Sequence, residues 1–282
     1  MSVIQAFILG LLQGLTEFLP ISSSGHLILV PWLFNWHYLL QHPDFNKTFD
    51  VALHLGTFIA LLIYFWRDIG RLLAAFFGSI RRRHIRTTDE HLAWLLLIST
   101  IPAGIFGVAF ESVIEDKLGK PWIIATMMLV FAIALAVVDR RARLERTIGQ
   151  ARWPDALLIG FTQAVALIPG VSRSGITMGT GMYLRFTREA AARYSFLMSI
   201  PVIGGAAAYK ALEVARSGLP AGAATPFAVG TAAAAVSGFA AVWFLLAYLR
   251  RHDFTPFVVY RVVAAVAVFI IIATGLRAAG AI

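Results

Sequence analysis

The 282-residue chain contains no cysteine, which removes disulfides, thiolate metal sites and cysteine nucleophiles together. Charge is nearly as scarce. Asp, Glu, Lys and Arg make up 14% of the residues, against about a quarter in ordinary soluble domains. The first apolar stretch lacks a basic leader and carries Gln13 and Glu17, so no cleavable signal peptide is expected. The formal net charge is +9, yet nucleic-acid binding is excluded. The basic residues gather in short segments between apolar blocks, which is the pattern that membrane orientation alone produces.

What the chain has is apolar side chain in long runs. Hydrophobic residues make up 59% of it, and mean hydropathy is +0.77. The runs 92–110 and 121–138 hold no charged residue and approach the roughly 20 residues that cross a bilayer. The expected fold is an all-α polytopic membrane protein. Six transmembrane helices are expected at about 51–66, 92–110, 121–138, 190–212, 225–249 and 257–276. The first is short and is expected to extend into its polar flanks. Four shorter pieces, 3–19, 27–40, 155–168 and 175–184, form two pairs broken by Pro, Ser and Gly. They predict two re-entrant helix-turn-helix pairs.

Sixteen Lys and Arg then fall on one side of the membrane, in 67–86, 140–152, 185–193 and 250–251, and six on the other. The richer side is assigned to the cytoplasm, and both termini face out.

The stretch Gly10–Gly25 recurs at Gly160–Gly175, with Gly, Gln and Gly at a fixed offset of 150 and Pro displaced by one. Each copy precedes three expected spans. An odd number of spans inverts the second copy, so the chain is expected to be an inverted-topology repeat. Repeat 1 covers about 1–138, repeat 2 about 151–282, and a basic cytoplasmic linker covers 139–152. The whole forms a single membrane domain, and the functional site of such a fold lies near mid-membrane, where the broken helices meet.

Glu17, His26 and Arg173 stand in otherwise apolar pieces. A charge at the bilayer centre costs about 2.5–3.5 kcal/mol on insertion scales, so these residues need partners or a wet cavity. A Glu17–Arg173 ion pair that merely pins the repeats would explain two of them. It would leave the serine-rich turns unexplained. Arg offers a planar fork of donors suited to phosphate. Serine turns leading into helix N-termini add donors and a dipole favourable to an anion. Gln13 and Glu17, four apart on one helix face, supply oxygen ligands for a hard divalent cation, Mg2+ or Ca2+. His26 suits a nucleophile or a general acid/base, and Ser23 or Ser24, activated by His26, is a second candidate to attack phosphorus. The set points to phosphoryl transfer in a membrane cavity.

These residues carry a resemblance. Glu17-Phe-Leu-Pro-Ile-Ser-Ser-Ser-Gly-His26, preceded by Gln13, and Pro169-Gly-Val-Ser-Arg-Ser-Gly-Ile-Thr177 closely resemble the two signature motifs of bacterial undecaprenyl-diphosphate phosphatases, the bacitracin-resistance family. The likeness extends to Lys47–Asp50 and Tyr194–Pro201, and to the length of the chain. It implies hydrolysis of undecaprenyl diphosphate to undecaprenyl phosphate and inorganic phosphate, which recycles the carrier lipid for peptidoglycan and other envelope polymers. Carried over by motif position, the site comprises Gln13, Glu17, Ser23, Ser24, His26, Ser172, Arg173 and Thr177, with Ser174 in the same turn. Glu17, His26, Ser23 and Arg173 are expected to be catalytic, the others to bind substrate, and Glu17 with Gln13 to hold the cation. Some members have glutamate where this chain has Gln13, so weaker metal affinity is expected here.

The implied setting is the bacterial cytoplasmic (inner) membrane, with the site opening outward and the partners being undecaprenyl diphosphate and membrane lipids. A homodimer is admitted. A lipid-phosphate transporter or flippase using the same anion site is the alternative. The nucleophile stays open between His26, a serine and water. Elsewhere, Arg81–Arg83 and Arg140–Arg143 serve topology. Asp50 and His54 share a helix face beside the outer opening and are assigned to capping or the interface, with shaping of access to the site as the alternative. Trp66, Trp122 and Trp153 are expected to be interfacial anchors, and Arg261 to snorkel or pair near its helix end.

Overall fold

The computed structural model describes residues 1–217 and 222–279. Over these residues it is helical, with a single isolated β-bridge between Arg146 and Phe186. The chain opens with α1 (Val3–Phe18) and α2 (Ser23–Phe34), short helices about 24 and 18 Å long at 1.5 Å per residue. Ser2 starts α1 through a capping box with Gln5. Pro20 stops it, because the residue before a proline is held extended, as Leu19 is.

Next come α3 (His37–Gln41), α4 (Pro43–Tyr64), α5 (Trp66–Arg82), α6 (Thr88–Leu118) and α7 (Pro121–Arg141). A second short pair, α8 (Trp153–Val165) and α9 (Arg173–Tyr183), precedes α10 (Arg188–Ser217), α11 (Ala224–Tyr248) and α12 (Thr255–Ala273).

Among the described residues, five helices are long and apolar enough to cross a bilayer: Phe45–Tyr64, Thr88–Gly107, Pro121–Arg141, Ala224–Tyr248 and Thr255–Ala273. The chain is a polytopic, all-helical membrane protein. Its surface agrees, since Ile4, Ile105, Val236 and Val263 are all more than 60% exposed while Gln13 and Glu17 are buried.

One boundary meets expectation and several differ from it. The first span extends to Pro43, as its polar flank suggested. The expected segment 190–212 lies inside α10. The piece 27–40 is not one helix: α2 begins at Ser23 and ends at Asn35, whose backbone is left-handed, and α3 follows. The basic stretch after Trp66 is a helix rather than a loop. Leu72, Leu73, Phe76, Phe77 and Ile80 recur along α5 at helical spacing, with the arginines between them. Trp66, Trp122 and Trp153 sit exposed at the starts of α5, α7 and α8. Lys210 and Arg216, assigned to the sparsely charged side, have side chains outside the described residues.

α1 packs on α11 and α8 on α6, while α4 meets α10 and α7 meets α12. Both of the first two contacts are backbone-close. A Cβ on Gly10 would stand 2.3 Å from the Gly230 carbonyl oxygen, and one on Gly160 would stand 2.6 Å from that of Ser99. α9 touches α7, α8 and α10, and α2 touches α1 and α7. The two interrupted pairs therefore meet in the interior.

Candidate functional site

The site is built from the two interruptions. Ser22 and Ser172 both have positive φ, 76° and 75°, in a region that costs a non-glycine residue about 1–3 kcal/mol. Each is the N-cap of the helix that follows. Ser22 Oγ accepts from the Gly25 amide at 3.4 Å, and Ser172 Oγ from the Gly175 amide at 3.2 Å. Ser23 and Arg173 are thus the first residues of α2 and α9, with helix N-termini directly behind them.

The turns are also tied to each other. The Gly170 amide donates to Ser22 Oγ at 3.2 Å, and Ser174 Oγ donates to the Leu19 carbonyl at 3.1 Å. Gly170 itself has a φ of 97°, and a Cβ there would stand 2.5 Å from the Ile124 carbonyl oxygen.

Glu17 is the hub. Arg173 Nη2 donates to its Oε1 at 2.7 Å, Gln13 Nε2 donates to Oε2 at 3.1 Å, and the Ser23 hydroxyl donates to the same Oε2. This ion pair lies beside a cavity of about 320 Å³, whose lining includes Glu17, Ser23, Ser24, Ser172, Arg173 and His54. A second cavity of about 770 Å³ shares Arg173 and Ala166 with it and continues along Ala103, Gly104 and Leu167.

The other expected residues face elsewhere. Thr177 Oγ1 bonds within its own turn and lies 2.7 Å from Ser195 Oγ. Ser174 serves the link to Leu19. His26 Nδ1 lies 2.7 Å from the Ser22 carbonyl oxygen, which can only accept, so Nδ1 carries the proton. Its Nε2, 2.6 Å from the Tyr260 hydroxyl, then accepts. His26 is absent from the cavity lining, and both of its ring nitrogens are engaged.

The histidine that does line the cavity is His54. Its Nδ1 donates to the Asp50 carbonyl oxygen at 2.8 Å, which turns Nε2 towards Glu17 Oε2, 3.7 Å away. The sequence assigns it to capping or the interface, because an Asp four residues before a His at an outer helix end suits either; its place in the cavity lining fits the alternative reading, a residue that shapes access. Tyr260 gave no signal at all.

Arg261 is corrected outright. It does not snorkel: it is fully buried within α12, and its guanidinium donates only to backbone carbonyls.

Among the described residues, no three His, Asp or Glu side chains gather to hold a metal by themselves. Gln13 Oε1, however, is buried and has no hydrogen-bond partner among the described residues, and it belongs to the amide whose Nε2 donates to Glu17. A carboxylate, an unsatisfied amide oxygen and a hydroxyl fit a hard cation whose remaining ligands are phosphate oxygens and water.

Chemically, the arrangement can receive an anion. It has an arginine fork, two helix N-termini and several hydroxyls, with a carboxylate poised on one hydroxyl proton.

The family model described as Bacitracin resistance protein BacA matches residues 6–267. An undecaprenyl-diphosphatase of Pelobacter propionicus is 45% identical to this chain over 98% of its length and 99% of the relative's. One of Moorella thermoacetica is 46% identical over 95% and 98%. One of Geobacter sulfurreducens is 45% identical over 95% and 97%.

Proposed function

This chain belongs to the bacitracin resistance protein BacA family, and we propose that it is an undecaprenyl-diphosphate phosphatase. It hydrolyses undecaprenyl diphosphate to undecaprenyl phosphate and inorganic phosphate, returning the carrier lipid to envelope synthesis. The observation that carries this reading is the hydrogen-bonded set Arg173–Glu17–Ser23 on a cavity between two helix N-termini.

In the mechanism, the diphosphate enters the cavity and the prenyl chain follows the apolar groove past Ala103, Gly104 and Leu167. Arg173, Ser172, Ser24 and the first-turn amides of α2 and α9 neutralise its charge, which is the main demand in phosphoryl transfer. The Ser23 hydroxyl, its proton already directed at Glu17, attacks the terminal phosphorus. Glu17 takes the proton and undecaprenyl phosphate leaves. Water then attacks the phosphoserine; Glu17 returns its proton to Ser23 Oγ as the phosphorus–oxygen bond breaks, and His54 Nε2, beside that carboxylate, takes the proton of the water as phosphate is released. His26 acts from behind, holding the Ser22 carbonyl. Ser174 and Thr177 keep the second turn in shape. Glu17 and Gln13 would hold a divalent cation, Mg2+ or Ca2+, which when bound supplies further neutralisation of the diphosphate.

The same proposal includes six spans, with α10 as the sixth, two re-entrant pairs (α1–α2 and α8–α9), and an inverted repeat of about 1–138 and 151–282 joined by 139–152. It is supported by the matching backbones of Ser22 and Ser172, and by Gly10 and Gly160 at equivalent close contacts. α1 on α11 is answered by α8 on α6, and α4 and α7 meet their own counterparts, α10 and α12, as a twofold axis in the membrane plane requires. We further assign the protein to the bacterial inner membrane, with the arginine-rich side cytoplasmic and the cavity open outward.

Phosphate release from undecaprenyl diphosphate by the purified protein tests the reaction. The wild type is expected to turn over and Ser23→Ala to be nearly inactive. Folded wild type inactive with Mg2+, with Ca2+ and with EDTA would abandon it for the transporter.

A further inference from the structure

We propose that Arg261 is a positioning residue that clamps both active-site turns from α12; the proposal rests on the phosphatase reading above. Its Nη1 donates to the Pro20 carbonyl at 3.1 Å, in the first turn. Its Nη2 donates to the Gly170 and Val171 carbonyls at 2.9 and 3.1 Å, in the second. Its Nε donates to Met128 of α7 at 3.1 Å. One planar group therefore joins two turns 150 residues apart in sequence to the α7–α12 pair.

The physical cost argues against a packing role. Arg261 is 0% exposed and has no carboxylate partner among the described residues, where backbone dipoles compensate its charge. Replacing buried charge with well-packed apolar side chains is often neutral or stabilising, so tight packing alone does not call for arginine here. A rigid fork can bind carbonyls of several segments at once, whereas an ammonium group cannot hold that geometry.

The neighbouring residue reinforces the grip. Tyr260 donates to His26, which in turn donates to the Ser22 carbonyl. Consecutive residues of α12 thus hold both turns. Ser22 and Ser172 keep a costly backbone conformation, which persists only where the surroundings over-determine it. The residue after each is the one that meets substrate: Ser23 in one turn and Arg173 in the other. Loosening the clamp displaces the nucleophile relative to the cation that faces the phosphate, and misplacement of that kind lowers turnover more than binding.

The test compares wild type, Arg261→Lys and Arg261→Met in the same detergent, by steady-state phosphate release and by amide hydrogen exchange. Both variants are expected to lose about a hundredfold in kcat with KM little changed. Lysine should do no better than methionine. Exchange should quicken in 19–25 and 169–175 while α11 keeps its wild-type rate. Folded variants with wild-type exchange in both turns overturn the clamp, as does a rise in KM at unchanged kcat. A wild type that releases no phosphate removes the phosphatase reading, and the exchange data then decide the clamp alone. Should neither variant fold, the wild type decides. The Gly170 amide is expected to exchange as slowly as mid-α11, and exchange at the rate of an open loop overturns the proposal.

Discussion

The amide of Gly170 donates to the hydroxyl of Ser22, 3.2 Å away and 148 residues earlier in the chain. Ser22 itself never lines the cavity, yet its oxygen caps α2 and receives the other half of the site at once. The two halves are therefore locked to each other beneath the groups that meet substrate, and perturbations should separate into those that remove chemistry and those that remove alignment.

Arg173 belongs to the first kind. Arg173→Lys is expected to lower kcat by at least about a hundredfold, because one ammonium cannot replace the fork at a developing phosphoryl charge. Steady-state phosphate release checks this, and a lysine variant within a few-fold of wild type would show that neutralisation lies elsewhere.

The ion pair makes a separate prediction about stability. Arg173→Ala or Glu17→Ala alone strands a charge, and breaking a buried pair costs about 3–5 kcal/mol. The double variant strands none. Thermal unfolding in detergent should find the double variant more stable than either single one, and simple additivity would contradict the coupling inferred from the 2.7 Å contact.

The two histidines should part company. His54→Gln is expected to slow phosphate release by about a hundredfold, as loss of a proton-accepting group at the reacting water does. Tyr260→Phe leaves the His26 ring in place without its hydroxyl partner and should lose less. Equal losses in both would assign His54 no special place.

Gln13→Glu is expected to lower the Mg2+ or Ca2+ concentration needed for half-maximal activity by on the order of tenfold, since carboxylate count sets affinity for hard cations. Titration of EDTA-stripped protein measures it. Activity indifferent to EDTA in both forms would remove the cation from the site.

Gly10→Ala reports on the scaffold. Its Cβ would meet the Gly230 carbonyl at 2.3 Å, and backbone cannot step aside, so a loss of about 1–3 kcal/mol is expected. A lowered unfolding midpoint at near-normal KM is the predicted outcome.

Glu17 and Arg173 were legible in the sequence because a charge in an apolar run stands out against its surroundings. The serine turns were legible because proline, glycine and hydroxyl residues state local backbone. What the sequence could not convey was direction. Nothing local says that His26 turns towards Tyr260, 234 residues away, or that His54 leans over Glu17. Those facts depend on how α12 and α4 cross the short helices. The arginines of α5 concealed a helical pattern that its leucines and phenylalanines had in plain view, and Arg261 was misjudged because its partners are carbonyls, which every residue has.

The pairing of Glu17 with Arg173 across 156 residues also bears on how the protein is made. At about 5–20 residues per second, the ribosome delivers the guanidinium roughly 8–30 seconds after the carboxylate. Throughout that interval the nascent first half carries a carboxylate that has Gln13, Ser23 and His54 beside it but lacks its arginine, where an unpaired charge costs about 2.5–3.5 kcal/mol. The carboxylate and its neighbours are thus in place first, and the arrival of the second half completes the neutralisation of the site.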